Sequence, residues 1–125
     1  MSVQIRLTQG PLATWPDTPY AQGSGARIVF DGVVRPTEDG EKIQGLHYEA
    51  YRPMAEQQLE IIGQELLETH GLIAMDIEHS IGLVPNYKCS FRLVIDSKHR
   101  KEGLAAMDEF INRLKQDVPI WKSAK

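Results

Sequence analysis

Two stretches of this chain carry apolar residues at helical spacing, while the apolar residues elsewhere alternate; that contrast narrows the available folds sharply. Ala55, Leu59, Ile62 and Leu66 recur at intervals of 4, 3 and 4, which gathers them on one stripe of a helix. Pro53 suits a first helical turn, where its missing N–H costs nothing, and Gly71 can supply a left-handed cap after His70. Leu104, Met107, Ile111 and Leu114 recur at 3, 4 and 3 and predict a second amphipathic helix. It should stop before Pro119, with Asp96 or Ser97 as its cap.

The remaining apolar pattern has period two, which predicts strands. It covers Val3, Ile5 and Leu7; the β-branched run Ala26 to Arg35; Leu46, Tyr48 and Ala50; Ile73, Met75 and Ile77; and Cys89, Phe91, Leu93 and Ile95. Asp39-Gly40 accommodates positive φ, so the second and third strands should form a hairpin around a polar loop. Pro85-Asn86 marks a turn between the last two. The Pro/Gly-rich stretch from Gly10 to Gly25 reads as a loop with room for one helical turn around Pro19 to Gln22. Hairpins interrupted by two main helices, rather than regular βαβ units, predict an α+β fold. No repeat or linker divides residues 1–125, so one domain is expected.

A chain of 125 residues with 42% hydrophobic content can bury an adequate core without disulfides or a structural metal. Its single cysteine, Cys89, cannot form an internal disulfide, and on an apolar strand face it reads as a packed side chain rather than a nucleophile. MSVQIRLTQG lacks the charged start and apolar run of a secretory signal, so the expected location is the cytoplasm. No apolar run approaches the roughly 20 residues that span a bilayer. A net charge of −3 argues against general nucleic-acid binding, which depends on phosphate neutralisation. Basic residues nevertheless collect in the segment from Lys98 to Lys125, enough for one small anion.

The common catalytic motifs are absent: no nucleotide-binding glycine loop, paired-cysteine metal motif, HExxH or GxSxG. His47, His70, His79 and His99 lie on separate predicted elements without metal-ligand spacing. What remains is a set of cations at the ends of elements. Arg35 ends a strand, His99 and Arg100 stand where a strand passes into a helix, and Lys115 and Lys122 bracket DVPIW. Arginine makes forked hydrogen bonds to phosphate, while lysine can hold an anion or, where burial or nearby positive charge lowers its pKa, act as a base or nucleophile. From spacing alone, a phosphate-binding cluster and ordinary surface charges both remain open.

GARIVFDGVVR, LHYEAYRPMA, the His99-Arg100 pair after IDS and, above all, LKQDVPIWK resemble the large, catalytic subunit of molybdopterin synthase. The resemblance runs from about Gly25 to Lys122. It implies a hammerhead-type α+β fold and a homodimer, assembled into a heterotetramer with two copies of a small β-grasp sulfur carrier. In that family the carrier's C-terminal Gly-Gly thiocarboxylate enters a pocket on the large subunit. Sulfur then passes twice to cyclic pyranopterin monophosphate, making the dithiolene of molybdopterin, and neither metal nor cofactor is required because the thiocarboxylate sulfur is already activated.

Carried over by motif, Arg35, His99 and Arg100 are expected to bind the substrate phosphate or pterin oxygens. Lys115 is the first choice for acid/base or covalent assistance at the reacting carbon, and Lys122 for holding the tail carboxylate as the acyl–sulfur bond breaks. Phe30 and Met54 are candidate pocket-lining residues, each also suited to the core, and Trp121 reads as a packed C-terminal anchor or an aromatic lid. Three departures stand out. Ser80 follows His79 where the family commonly has His-Arg, Asn86-Tyr87-Lys88 replaces a Gly-Glu turn, and Ser123-Ala124-Lys125 replaces an acidic continuation after PIWK. They keep a second reading open, a non-catalytic relative that binds a β-grasp partner or a pterin without turnover.

Overall fold

A computed structural model describes residues 2–125. Eight strands and two helices follow one another as β1 (Ser2–Gln9), β2 (Ala26–Val33), β3 (Thr37–Glu38), β4 (Glu41–Lys42), β5 (Gly45–Ala50), α1 (Met54–Thr69), β6 (Ala74–Pro85), β7 (Cys89–Ser97), α2 (Arg100–Asp117) and β8 (Ile120–Ala124). The main sheet runs β2-β7-β6-β5-β8, with β1 joined to β6. The two helices pack on one face of it, giving the expected α+β fold.

The long strand β6 organises the sheet. Its first part pairs with β1 from Ala74 to Ile81 and with β7 from Ala74 to His79, while Gly82 to Pro85 pair with β5. The β1–β6 ladder is parallel, the one departure from an otherwise antiparallel sheet. Alternation puts Met75, Ile77 and His79 on the helix side, where the strand joins Leu93 and Ile95 in a core closed by Leu59, Ile62 and Leu66 of α1. Those three α1 side chains are at most 1% exposed, and at about 2 kcal/mol per fully buried aliphatic side chain this stripe fixes where α1 sits. Gly71, at φ +64°, ends the helix as expected, while Pro53 stands just before its first residue.

The second helix departs from its predicted pattern at one position. Leu104 is 51% exposed; the buried stripe is Gly103, Ala106, Met107 and Phe110, with the expected Ile111 and Leu114 packed against the core beside it. At Gly103 a Cβ would come 2.6 Å from Ile28 Cδ1 and 2.7 Å from Ser97 Oγ, so the missing side chain lets α2 lie close on β2 and β7 without displacing either group. The cap differs too. His99 is the N-cap without a side-chain bond, Asp96 is engaged elsewhere, and the Ser97 hydroxyl donates to the His99 carbonyl at 2.6 Å.

The hairpin expectation needs a further correction. Asp39 (φ 51°) and Gly40 (φ 81°) do turn the chain, but only between the two-residue strands β3 and β4. Strand β2 pairs with β7, and β5 with β6 and β8, because the long apolar ladder of β7 gives β2 more to bury than β5 would. Residues 19 to 22 form no helical turn; the chain there makes a tight turn closed by Ser24 N–H on the Ala21 carbonyl at 3.0 Å.

That turn belongs to a loop laid across the polar face of the sheet and tied down by one ion pair. Arg27 Nε donates to Asp96 Oδ1 at 2.7 Å, its other nitrogens reach the Thr18 and Pro19 carbonyls, and the Ala21 N–H donates to Asp96 Oδ2. Burial pushes the Asp96 carboxyl upward, but the Arg27 guanidinium and the Ala21 N–H outweigh it and hold Asp96 below the usual carboxylate value. A carboxyl with a depressed folded value stabilises the fold above its unfolded value, near 3.8, and loses that contribution as pH falls through the folded value. Asp96→Asn should therefore lower unfolding stability at pH 7 by roughly 3 kcal/mol, the cost of breaking a buried pair from one side. The gap from wild type should close as the pH is taken below 4, with urea titrations across pH as the measurement.

Candidate functional site

Besides the main core, a small cluster of Val34, Leu46 and Val84 packs with Ile43 and Tyr48. A cavity of about 520 Å³ lies at the seam between the two. The register of β2 against β7 shifts at Gly32/Val33, which carries Val34 into the small cluster and brings Arg35 to the cavity rim. From the opposite side α2 contributes Lys115 in its last turn. Val118 takes an extended conformation (ψ 125°) ahead of Pro119, which ends the helix, and the chain re-enters the sheet as β8. There Lys122 pairs in register with Tyr48 of β5, and both line the cavity. LKQDVPIWK thus has a structural reason that its sequence alone did not disclose: a helix end, a break and an edge strand, which aim two lysines seven positions apart at one space.

Arg35, Lys115, Lys122 and Phe30 are brought together. Among the described residues neither Arg35 nor Lys115 has a carboxylate within 4.0 Å, whereas Lys122 Nζ lies 3.0 Å from Glu38 Oε2. Phe30 is 37% exposed and tilts against Phe91, with ring centroids 6.1 Å apart. Trp121 is also on the wall and 56% exposed, closer to a lid than to a packed anchor.

The other three candidates lie elsewhere. His99 and Arg100 open α2, and Lys115 follows fifteen positions after Arg100, about 22 Å along the axis at 1.5 Å per residue. His99 is turned to Glu102, with Nδ1 3.6 Å from Oε2. Met54 begins α1, is 45% exposed and does not line the cavity.

The cavity floor was not anticipated. His79, only 7% exposed, donates from Nδ1 to the Ser80 carbonyl at 2.7 Å. Burial lowers its pKa against the raising effect of that carbonyl, so the ring is neutral at pH 7 with its lone pair on Nε2. Tyr48 packs edge-on to this ring at 5.1 Å and hydrogen-bonds Ser90 Oγ at 3.1 Å. A neutral imidazole and a phenol therefore lie beneath a cationic rim. Parity carried a signal for His79, which continues the Met75–Ile77 alternation onto the core face, whereas Tyr48 joins it only through the pairing of β5 with β6 and β8. Cys89 behaves as the sequence suggested: burial and Asp31 raise the thiol's pKa, and its Sγ contacts Asp31 Oδ1 and the Phe91 carbonyl.

The model of the MoaE protein family matches residues 9–117. This chain belongs to the MoaE family. It is 37% identical over 121 residues to a molybdopterin synthase catalytic subunit of Staphylococcus epidermidis, covering 95% of this chain and 81% of that one. A crystal structure of molybdopterin synthase from Staphylococcus aureus superposes with a TM-score of 0.86 at 35% identity, over 95% of this chain and 88% of that chain. A complex of subunits 1 and 2 of molybdopterin-converting factor from Helicobacter pylori superposes at 0.76 with 27% identity, covering 96% and 83%.

Within this MoaE chain, the Ser80 departure does not reach the cavity. Ser80 pairs with Thr8 on the polar face of β6, opposite the face that His79 presents to the cavity, and is fully buried. An arginine at this position would project from that same opposite face. Among the described residues the Ser80 hydroxyl has no hydrogen-bond partner, so removing it relieves an unsatisfied buried group. Ser80→Ala should leave the thermal midpoint unchanged or raise it by the equivalent of up to about 1 kcal/mol; a clear loss would show that the hydroxyl is engaged after all.

Proposed function

We propose that this chain is the catalytic subunit of a molybdopterin synthase, moving sulfur from the C-terminal Gly-Gly thiocarboxylate of a small β-grasp partner to cyclic pyranopterin monophosphate in the cytoplasm. The observation that carries this reading is the meeting of Arg35, Lys115 and Lys122 from three different elements at one cavity, in a chain whose relatives are named molybdopterin synthase catalytic subunits. The Helicobacter pylori complex of two subunits supports a small partner for this chain as well.

In this mechanism the tail sulfur attacks a pterin side-chain carbon as the C–O bond at that carbon breaks and the departing oxygen takes up a proton, so that a C–S bond forms while the acyl–sulfur bond still holds the substrate to the tail. Water then cleaves the acyl–sulfur bond and returns the tail as a carboxylate; a second carrier repeats the step at the neighbouring carbon. Lys122 steadies the negative charge on the tail as the acyl–sulfur bond breaks, and Lys115 moves the proton at the reacting carbon. Lys115 is exposed in the isolated chain, so the dry surroundings that favour proton transfer by a lysine come from the docked tail, the substrate or a second subunit.

The second subunit has its own support. His99 and Arg100 sit too far along α2 to join the Lys115 pocket of the same chain, and they serve the substrate only if a homodimer brings them to the partner's cavity. Strand β2 lies at the end of the main sheet's strand order, with Val29 45% and Val33 51% exposed, and Leu104 of α2 is exposed as well. These apolar side chains suit burial against a second copy. Two such large subunits with two carriers make the heterotetramer.

Lys115→Ala should cut single-turnover sulfur transfer by at least 100-fold with pterin binding nearly intact, whereas Arg100→Ala should weaken pterin binding first. Equal turnover for Lys115→Ala and wild type would remove Lys115 from the chemistry. Mixing the two variants tests the shared site. Exchanged dimers each contain one cavity with both residues intact, so random mixing should restore about a quarter of wild-type activity, while residues acting within one chain would restore none. A preparation that binds both carrier and pterin but never transfers sulfur would establish the non-catalytic reading.

A further inference from the structure

Lys122 is the only one of the three cavity cations that the chain itself neutralises among the described residues, and the residue that does so comes from an unusual place. Glu38 belongs to the β3–β4 hairpin, whose two strands pair only with each other and stand outside the main sheet. Its acidic neighbours Asp39 and Glu41 are exposed. The Glu38 side chain instead turns inward, is 21% exposed, and places Oε2 3.0 Å from Lys122 Nζ on the cavity wall. The hairpin is held at its base by Ile43 N–H on the Pro36 carbonyl at 3.0 Å, and beyond it Gln44 N–H donates to the Lys125 carbonyl at 2.7 Å. Its tip can therefore shift without breaking a ladder of the main sheet.

The geometry points to Glu38 as a placeholder for the partner's tail: its carboxylate takes the anion position beside Lys122 and has to be displaced when the tail's terminal carboxylate or thiocarboxylate arrives. This deepens the reading above and rests on its assignment of the tail to Lys122. The chemistry is an exchange of one carboxylate for another on the same ammonium. Lys122 is 56% exposed, so its pair with Glu38 is weak and screened by salt. A tail held by further backbone and side-chain contacts displaces it readily, whereas a free small anion, with nothing but its charge to contribute, competes poorly. Glu38 thus acts as a positioning residue that keeps the Lys122 ammonium aimed into the cavity and sets which anions replace it.

The test titrates the cognate small subunit into the full chain by calorimetry at low ionic strength, using the subunit with a C-terminal Gly-Gly carboxylate and a form ending in the amide. Glu38→Gln should tighten binding of the carboxylate form about two- to fivefold, the scale of one exposed ion pair. The gain should shrink as salt is added, vanish with the amide form, and vanish in a Lys122→Ala background. Glu41→Gln removes the same charge from the same hairpin without touching Lys122 and should leave affinity unchanged. Unchanged or weaker binding by Glu38→Gln, or an equal gain from Glu41→Gln, overturns the placeholder while Lys122→Ala still weakens the carboxylate form. If Lys122→Ala binds that form as tightly as wild type, the assignment of the tail to Lys122 is itself wrong and the placeholder falls with it.

Discussion

The site depends on a break in the backbone. A proline cannot continue α2, since it has no N–H to give and its ring crowds the preceding turn, and it forces Val118 into an extended conformation. The chain therefore leaves the helix immediately after the turn that carries Lys115 and runs back as β8 beside β5. Had α2 continued, Lys122 would have stood two turns beyond Lys115, about 10 Å further along one axis and facing the same solvent. Because the chain turns, the two lysines approach one cavity from a helix end and a strand. The register of Lys122 opposite Tyr48 then fixes which way the second of them faces.

A cavity of this size persists because it lies where two hydrophobic clusters fail to merge. The main core ends at Phe91 and Phe110, whose rings stack at 6.3 Å, and the smaller cluster around Val34 begins beyond the register shift in β2. Close packing within each cluster keeps the walls rigid. Polar groups on the floor are satisfied from behind, His79 by the Ser80 carbonyl and Tyr48 by Ser90. Rigid walls, a satisfied floor and cations on flexible stems around the rim suit a site that receives a chain end and an anionic ring together.

Much of this was legible in the sequence where a single local rule decided the outcome. The α1 stripe and its glycine stop, the alternation of β6 and β7, and the Asp39-Gly40 turn each follow from spacing or from a residue's allowed φ. Strand β8 was not legible, because IWKSA has no alternation to show and becomes a strand only through its pairing with β5. The partner of β2 was likewise set by the long-range ladder of β7, not by the turn near it. The α2 stripe differs at Leu104 because Gly103, which carries no hydrophobic signal, is the residue that turns toward Ile28 and Ser97 of the sheet. Arg35, Lys115 and Lys122 could be named from their motifs, but the floor made by His79 and Tyr48 emerges only once β5 and β6 are paired.

The charges along α2 carry one more constraint. Lys115 lies in the last turn, where the helix carbonyls favour a cation. His99, Arg100 and Lys101 sit at the other end, where the helix dipole disfavours positive charge, and Glu102 is the only acid in that first turn. A cationic N-terminus of this kind is tolerated best where an anion is held close by, because backbone N–H groups and side-chain cations then act on it together. The Lys115 cavity of the same chain is about 22 Å away, too far for one small phosphate to answer both ends. The homodimer of the proposed function would resolve this geometry. In it, the N-terminus of α2 in one subunit would supply phosphate contacts to a cavity whose lysines come from the other, dividing substrate binding and sulfur transfer between two copies of the same helix.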